Sequence, residues 1–499
     1  MERKKKAIKN IVISFGLEIV NILSGFIIPR LIINFYGSET NGLINSISSF
    51  IGYIIILQSG VGSVIKAALY KPLAENDTHK INDIIATLEH FFRKITLISV
   101  VYILCLAGFF SLRTSNDFDF VFTASLVVII SFSTVAQYFW GMPYQLLLEA
   151  DQKGYVYSFI QGVTVLINTV LSIILIRSGF SIQIVKLMTA LIFVLRPVII
   201  RIYSRKKYAI NRTGKVNLDL LKSRWDGFAQ AIAYFIHSKT DIFVLTVFAT
   251  LSDVSVYSIY ALILTALSTI VSAVDKAVGP AFGNIIAREE SILNKRFEMY
   301  CNIIHVLSTI LFGTACVTAS GFVRVYTSNI TDYTYVRSLF GLIIFSAEYI
   351  HCLRLPYNCI IYAAGRIKET RNSAIIEAVI NLVLSIILVN IWGMEGVAVA
   401  TLAAMIYRTV SLAGYLRKDV LYLSMRQEIR RFAITMAAFL PCIPLMYFME
   451  GKWIGKDSYL QWGLAAGIVF ILYSIYVILI NWLFNRKEMK DTIRTLTNR

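Results

Sequence analysis

Charge is scarce in this 499-residue sequence. Asp, Glu, Lys and Arg make up 16% of it, where soluble domains carry about 25%. Recognisable cysteine chemistry is missing as well. Cys105, Cys301, Cys316, Cys352, Cys359 and Cys442 fall in or beside apolar stretches with no CxxC spacing. They read as small core residues, neither a disulfide framework nor zinc ligands. There is no P-loop, HExxH or GxSxG in a suitable context. The longest loop is about twenty residues, too short for a domain carrying acidic metal ligands. The sequence therefore reads as a non-enzyme without a cofactor. It has no ATPase domain, so energy would come from an H⁺ or Na⁺ gradient or from the membrane potential.

What the chain has instead is apolar length. Hydrophobic residues make up 57% of it and the mean hydropathy is +0.67. They cluster in blocks such as 95–112, 155–176, 256–274 and 458–485. About 20 apolar residues at a 1.5 Å rise cross roughly 30 Å of hydrocarbon, and the blocks alternate too little for barrel strands. The expectation is an all-α polytopic membrane protein. About fourteen spans are predicted: 11–34, 41–69, 95–112, 119–147, 155–177, 181–203, 224–249, 255–282, 300–323, 336–363, 370–391, 395–416, 431–449 and 458–484. The basic start, "MERKKKAIKN", is followed by a helix too long for a cleavable signal.

Charge asymmetry sets the orientation. With the N-terminus inside, 34 of the 48 Lys and Arg fall on the cytoplasmic side. Six fall outside: Arg113, Arg177, Arg324, Arg337, Lys452 and Lys456. Positive charge collects inside in membrane proteins, so both termini are expected in the cytoplasm and the protein in the cell membrane. The net charge of +18 is mostly this bias, split among short loops, and does not suggest nucleic acid.

The sequence repeats itself. "LINTVLSIILI" at 166–176 returns as "VINLVLSIILV" at 379–389, with eight of eleven residues identical and an offset of 213. The same offset joins "PYQLLLEA" at 143–150 to "PYNCIIYA" at 356–363. Six spans are thus repeated, and an even number inserts both halves the same way up. Transporters with parallel repeats bind substrate between the halves and rock to alternate access. The expected layout is a six-helix lobe at 1–204, a basic cytoplasmic linker at 205–222 and a second six-helix lobe at 223–418. Two added helices and a basic tail occupy 419–499.

This layout resembles the Wzx-type polysaccharide flippases of the multidrug/oligosaccharidyl-lipid/polysaccharide flippase superfamily. The resemblance covers the whole chain. It is carried by the 6+6+2 arrangement, by "FYGSETNGL" at 35–43, by "LLLEADQKGY" at 146–155 and by "DIFVLTVFATLSDVSVYSIY" at 241–260. It implies two bundles around a central cavity lined mainly by spans 1, 2, 7 and 8. It also implies a polyprenyl-diphosphate-linked oligosaccharide as substrate. A polysaccharide polymerase or glycosyltransferases are the candidate partners.

The residues themselves offer material for a cavity. Eight cations lie within spans: Arg30, Lys66, Lys186, Arg196, Lys239, Lys276, Arg354 and Arg408. Each costs about 2.5–3.5 kcal/mol at a helix centre and so normally faces protein or water. Lys66, Lys186, Arg196 and Arg408 lie near enough to span ends to snorkel. At 100° per residue, Asn45, Ser48, Gly52, Ser59, Ser63 and Lys66 share one face of span 2. Span 8 carries Thr265, Ser268, Ser272, Asp275 and Lys276 on one side. Span 1 aligns Ser14, Glu18, Asn21 and Gly25, and span 7 aligns Gln230, Tyr234, His237 and Asp241. Ordinary helix packing also uses small and polar residues. In span 10, Glu348, His351, Arg354 and Asn358 cluster, with Glu348 and Arg354 a candidate pair.

These residue types suit a lipid diphosphate. The expected substrate-binding set is Arg30, Lys66, Lys239, Lys276, Arg354, Asn21 and His237, since fixed cations can hold phosphate in a wet cavity. The expected ion-coupling set is Glu18, Asp241, Asp275 and Glu348. Moving about two negative charges outward against 100 mV gains roughly 4.6 kcal/mol, so the potential alone can drive export. Two alternatives stand beside this: a lipid II flippase, which handles the same diphosphate, and a multidrug/cation antiporter, which would favour carboxylates over in-span cations.

Overall fold

The computed structural model describes residues 2–58, 60–211, 214–221, 239–288, 292–453, 458–486 and 489–490. No strand occurs among them. Twelve described helical stretches are long and apolar enough to cross a membrane, and the chain is a multi-pass membrane protein. Two features account for the difference from fourteen. The predicted spans 370–391 and 395–416 run together as one 49-residue element that turns at Gly393. The predicted span 224–249 falls largely outside the described residues, which keep 239–248 of it.

The chain divides into two compact units, Met1–Phe235 and Ile236–Arg499. The first contains α1 (Glu2–Tyr36), α2 (Ser38–Gly52), α3 (Val61–Glu75), α4 (Thr78–Arg113), α5 (Phe120–Ala136), α6 (Met142–Ala150), α7 (Gly154–Arg177) and α8 (Ile182–Lys207). Here α1 packs along α7, α4 along α5, and α8 against both α5 and α7. Side-chain caps mark two of these starts. Asp119 accepts from the backbone N–H of Val121 at 2.9 Å and opens α5. Asp77 accepts from the N–H of Lys80 at 3.0 Å, which holds its carboxyl below the ordinary range.

Span 2 differs from its prediction. One continuous helix over 41–69 was expected. Instead α2 ends at Gly52, a 3₁₀ segment covers Tyr53–Gln58, and α3 starts after Gly60 in the left-handed region (φ +80°). A glycine adopts that conformation at little steric cost. The break shifts the helical phase, so the Asn45-to-Lys66 stripe is not one face of one helix.

The second unit contains α9 (239–248), α10 (Leu251–Arg288), α11 (Leu293–Tyr326), α12 (Ser338–Leu353), α13 (Leu355–Ala363), α14 (Arg371–Asp419), α15 (Met425–Phe439), α16 (Cys442–Glu450) and α17 (Tyr459–Phe484). Within it α11 touches α10, α12, α15, α16 and α17, and α12 lies along α14. Gly393 (φ +60°) folds α14 back between its halves, and a Cβ on Gly396 would meet the Leu388 carbonyl oxygen at 2.2 Å.

The repeat is visible in the backbone. α6 and α13 are both nine residues long, both have proline second, and both start and end 213 positions apart. The added helices are closely fitted too. Pro441 has no N–H for the Ala437 carbonyl one turn back. The Tyr476 hydroxyl donates to that carbonyl at 3.0 Å, and Tyr473 donates to the carbonyls of Ala438 (2.9 Å) and Phe439 (3.0 Å). α17 therefore satisfies the backbone that the proline frees.

Candidate functional site

In the first unit the most open polar feature surrounds Lys66. Its ammonium lies 3.3 Å from Glu149 Oε2, with both side chains about one-third exposed. Gln145 donates to Glu149 Oε1 at 3.0 Å, and Gln137 donates to Gln145 at 2.9 Å. The π-helical turn at Gln137–Gly141 and the start of α6 bring these groups to α3. Lys66, Gln145 and Glu149 border a cavity of about 270 Å³, also reached by Gln58 and walled by Ile55, Phe92 and Met142. The Gln58 side-chain oxygen is buried without a hydrogen-bond donor among the described residues. Glu149 lies within the 146–155 stretch quoted for the family resemblance, yet its role as the partner of Lys66 was not anticipated. The signal is its place at the end of span 4, level with Lys66 at the end of span 2.

The other expected residues of this unit are spread along α1. Glu18 is exposed, and Asn21 and Arg30 are half-buried. Among the other in-span cations of this unit, Arg196 Nε donates to Thr164 Oγ1 at 2.6 Å and its guanidinium lies 3.6 Å from the centre of the Phe193 ring.

In the second unit a buried carboxylate stands where three helices meet. Asp241, on α9, is 7% exposed. Tyr257 of α10 donates to Oδ2 at 3.0 Å, and Thr401 of the second half of α14 donates to Oδ1 at 2.8 Å. Asn381 of the first half of α14 donates to Thr401 at 3.0 Å and also bonds Asp241. Two oxygens here have no donor among the described residues: Asn381 Oδ1, and Ser385 Oγ one turn along, both in fully buried side chains. Buried polar atoms are nearly always paired. A carboxylate and spare neutral oxygens make a donor set for a hard cation or a proton.

Asn381 and Ser385 are the Asn and Ser of the repeated 11-residue stretch. Their counterparts Asn168 and Ser172 are also buried, but there the Ser172 hydroxyl reaches Asn168 Oδ1 at 3.4 Å. The residue 213 places before Asp241 is Ile28. The first unit therefore keeps the polar pair and lacks the carboxylate.

Around span 10 the partners differ from those expected. Arg354 does not pair with Glu348. Its Nη1 donates to Glu377 Oε1 at 2.5 Å, both residues are buried, and Arg408 approaches the other Glu377 oxygen at 3.5 Å. Glu377, on α14, answers the two cations together. Glu348 bonds His351 at 3.0 Å, and with Cys352 their ligand atoms lie within 4.8 Å of one another. Asp275 accepts from the Tyr300 hydroxyl, while Lys276 is exposed. Lys239 is half-buried in the first described turn of α9. His237 lies outside the described residues, as do Gln230 and Tyr234.

No protein-family model matches the sequence, and no curated protein does. Solved structures do. A lipid II flippase, MurJ, in an inward closed conformation matches over 96% of this chain and 100% of its own, with a TM-score of 0.69 and 14% identity. The MATE multidrug transporter DinF-BH matches over 83% of this chain and 95% of its own, with a TM-score of 0.60 and 14% identity. An inward-facing multidrug resistance MATE family transporter of the MOP superfamily matches over 84% and 99%, with a TM-score of 0.57 and 14% identity. The likeness at this identity is one of fold: the chain has the fold of the MOP-superfamily transporters.

Proposed function

We propose that this protein is a Wzx-type flippase. It moves polyprenyl-diphosphate-linked oligosaccharide from the cytoplasmic to the outer leaflet for polysaccharide export, by alternating access through a cationic cavity. The observation that carries the reading is the set of in-span cations on a fold that a lipid II flippase shares over 96% of the chain. The multidrug transporters compared cover 83% and 84%. A lipid diphosphate keeps its charge, and lysine and arginine within the spans answer that charge.

On the substrate side, Lys66 borders an open cavity and Lys276 is exposed. Arg30, Lys239, Asn21 and His237 complete the proposed set. Arg354 is committed to Glu377 and meets a phosphate only when that pair opens. On the coupling side, Asp241 is the centre and Glu18, Asp275 and Glu348 are the lesser candidates. The protein acts in the cell membrane with both termini cytoplasmic, beside the polymerase or glycosyltransferases that use its product.

Reconstitution tests the reading. Proteoliposomes holding the full chain and a fluorescent polyprenyl-diphosphate oligosaccharide should expose the glycan to an added glycosidase faster than empty liposomes. A lipid II flippase is the second reading, favoured by the likeness to MurJ. Movement of a lipid II analogue without the oligosaccharide would select it. Accumulation of a cationic dye alone would select an antiporter.

A further inference from the structure

The segment between α11 and α12 is a rigid cup. Tyr333 donates to Asp253 Oδ1 at 2.7 Å, and the Tyr335 and Ser255 hydroxyls lie 2.8 Å apart. The Arg337 N–H donates to the Tyr260 hydroxyl at 2.9 Å. Three tyrosines and two residues at the start of α10 thus hold the second half of the loop. The segment borders an open cavity of about 510 Å³, and Arg324 and Arg337 both line it, together with Ser328, Thr331, Thr334 and Asp332.

Neither arginine side chain has an ion-pair or hydrogen-bond partner among the described residues. The Nε of each is buried and unpaired. Asp332 is exposed and already engaged, so the lining keeps a net positive charge. A buried, unpaired guanidinium N–H is unfavourable unless something accepts from it. Two arginines lining one cavity, with hydroxyl donors around them, suit a tetrahedral oxyanion.

Depth narrows the occupant. Arg324 is in the last turn of α11 and Arg337 caps the start of α12, at the ends of two stretches, Leu293–Tyr326 and Ser338–Ala363, that are long enough to cross a membrane. In the proposed topology both arginines fall at span ends, the level at which lipid phosphates lie. By the charge bias this is the outer face, where only six basic residues fall in all. Outside loops normally hold few basic residues, and two of the six converge here.

We infer that this cup is a binding site for the phosphate diester of an anionic phospholipid in the outer leaflet. The inference shares the membrane orientation of the proposed function and is independent of the transported substrate. The test uses the purified full chain in neutral detergent. Dihexanoyl-phosphatidylglycerol, dihexanoyl-phosphatidylcholine and inorganic phosphate are titrated calorimetrically. Phosphatidylglycerol should bind saturably, and Arg324→Gln and Arg337→Gln should each weaken it by about tenfold or more. Arg324→Lys and Arg337→Lys should fall between, and Lys452→Gln should change nothing. Equal affinity in the double Gln variant, or equal binding of phosphatidylcholine, overturns the site. Inorganic phosphate binding as tightly, with the same arginine dependence, overturns the lipid as its source. Ser328→Cys should label from the outer face with an impermeant maleimide. Labelling from the cytoplasmic face alone overturns the outer-leaflet assignment and the shared orientation, whereas arginine variants without effect leave the transport reading standing.

Discussion

Tyr144 and Tyr357, 213 positions apart, play the same part in their two units. Each follows the proline that opens a nine-residue helix, each is fully buried, and each gives its hydroxyl proton to a carboxylate. Tyr144 donates to Glu89 at 2.6 Å, with Arg205 donating to the tyrosine oxygen at 2.7 Å. Tyr357 donates to Glu428 at 2.9 Å, and Arg431 donates to Glu428 at 3.0 Å. The carboxylates are not related by the repeat. The residue 213 places after Glu89 is Asn302, and Glu428 comes from α15, one of the added helices. The added helices thus supply a group that the repeated part of the second unit lacks.

The first prediction follows. Tyr144→Phe or Tyr357→Phe should cost about 1.5–3 kcal/mol, the range for hydrogen bonds to charged groups. Glu428→Gln should cost more, about 3–5 kcal/mol, because it leaves Arg431 buried without its counter-charge. Thermal unfolding in detergent, followed by loss of the monodisperse peak, ranks the three. Equal stability of Glu428→Gln and wild type would remove the carboxylate from this role.

Lys66 gives the second prediction. Its pair with Glu149 is about one-third exposed on both sides, and such pairs contribute only about 0–1 kcal/mol. Lys66→Ala should therefore insert and fold at normal levels. If the lysine meets the diphosphate, the same variant loses surface polysaccharide, with binding weaker by about tenfold or more. Glu149→Gln frees the ammonium and should tighten binding, an effect absent in the double variant. Normal export by Lys66→Ala at matched protein levels would make the lysine a snorkelling residue only.

The fold was legible because its signals are long. Apolar blocks and the 213-residue offset both extend over many residues, so a single misread position does little harm. The site was legible only in part. Asp241, Lys66 and Arg354 stood out as charges within apolar runs, but their partners did not. Glu149 and Glu377 sit near predicted span ends, where a carboxylate looks solvated. Tyr257, Asn381 and Thr401 are ordinary neutral residues until three helices bring them to one carboxylate. The stripe on span 2 failed for a different reason: a period of 3.6 holds only while the helix continues, and Gly60 interrupts it.

The linker gives the third prediction. Asn211, Lys215 and Asn217 lie along the first turns of α4, whose side chains accept their backbone N–H groups. Asn211 donates to Asn82 at 2.9 Å, Lys215 to Asp83 at 2.7 Å and Asn217 to Thr87 at 2.9 Å. A Cβ on Gly214 would meet the Asn82 carbonyl oxygen at 2.4 Å. Lys215 keeps its side chain exposed. Lys215→Cys, in a Cys105→Ala background, should react with an impermeant maleimide only after the cytoplasmic face is opened. Reaction in intact cells would reverse the orientation and place the six-span halves the other way up.

The last prediction concerns Asp241. The carboxylate is buried and held by Tyr257, Thr401 and Asn381, and the Asn381 side-chain oxygen lacks a donor among the described residues. A full negative charge in such a place is costly unless a proton or metal cation shares it. The first unit repeats the Asn and Ser but has Ile28 at the matching position, so the carboxylate belongs to one unit. Asp241→Asn removes the charge and keeps the side chain's size and one acceptor oxygen. The variant should fold, because Tyr257 or Thr401 can still donate to that oxygen. Transport in proteoliposomes should lose its dependence on the Na⁺ or H⁺ gradient and keep its dependence on membrane potential, since the diphosphate carries its own charge. Asn381→Leu removes the unpaired oxygen and one hydrogen bond while keeping the Asp241 charge, and should raise the cation concentration needed for half-maximal transport. Cation dependence unchanged in both variants would leave Asp241 as a hydrogen-bond acceptor that ties α9 to α10 and α14.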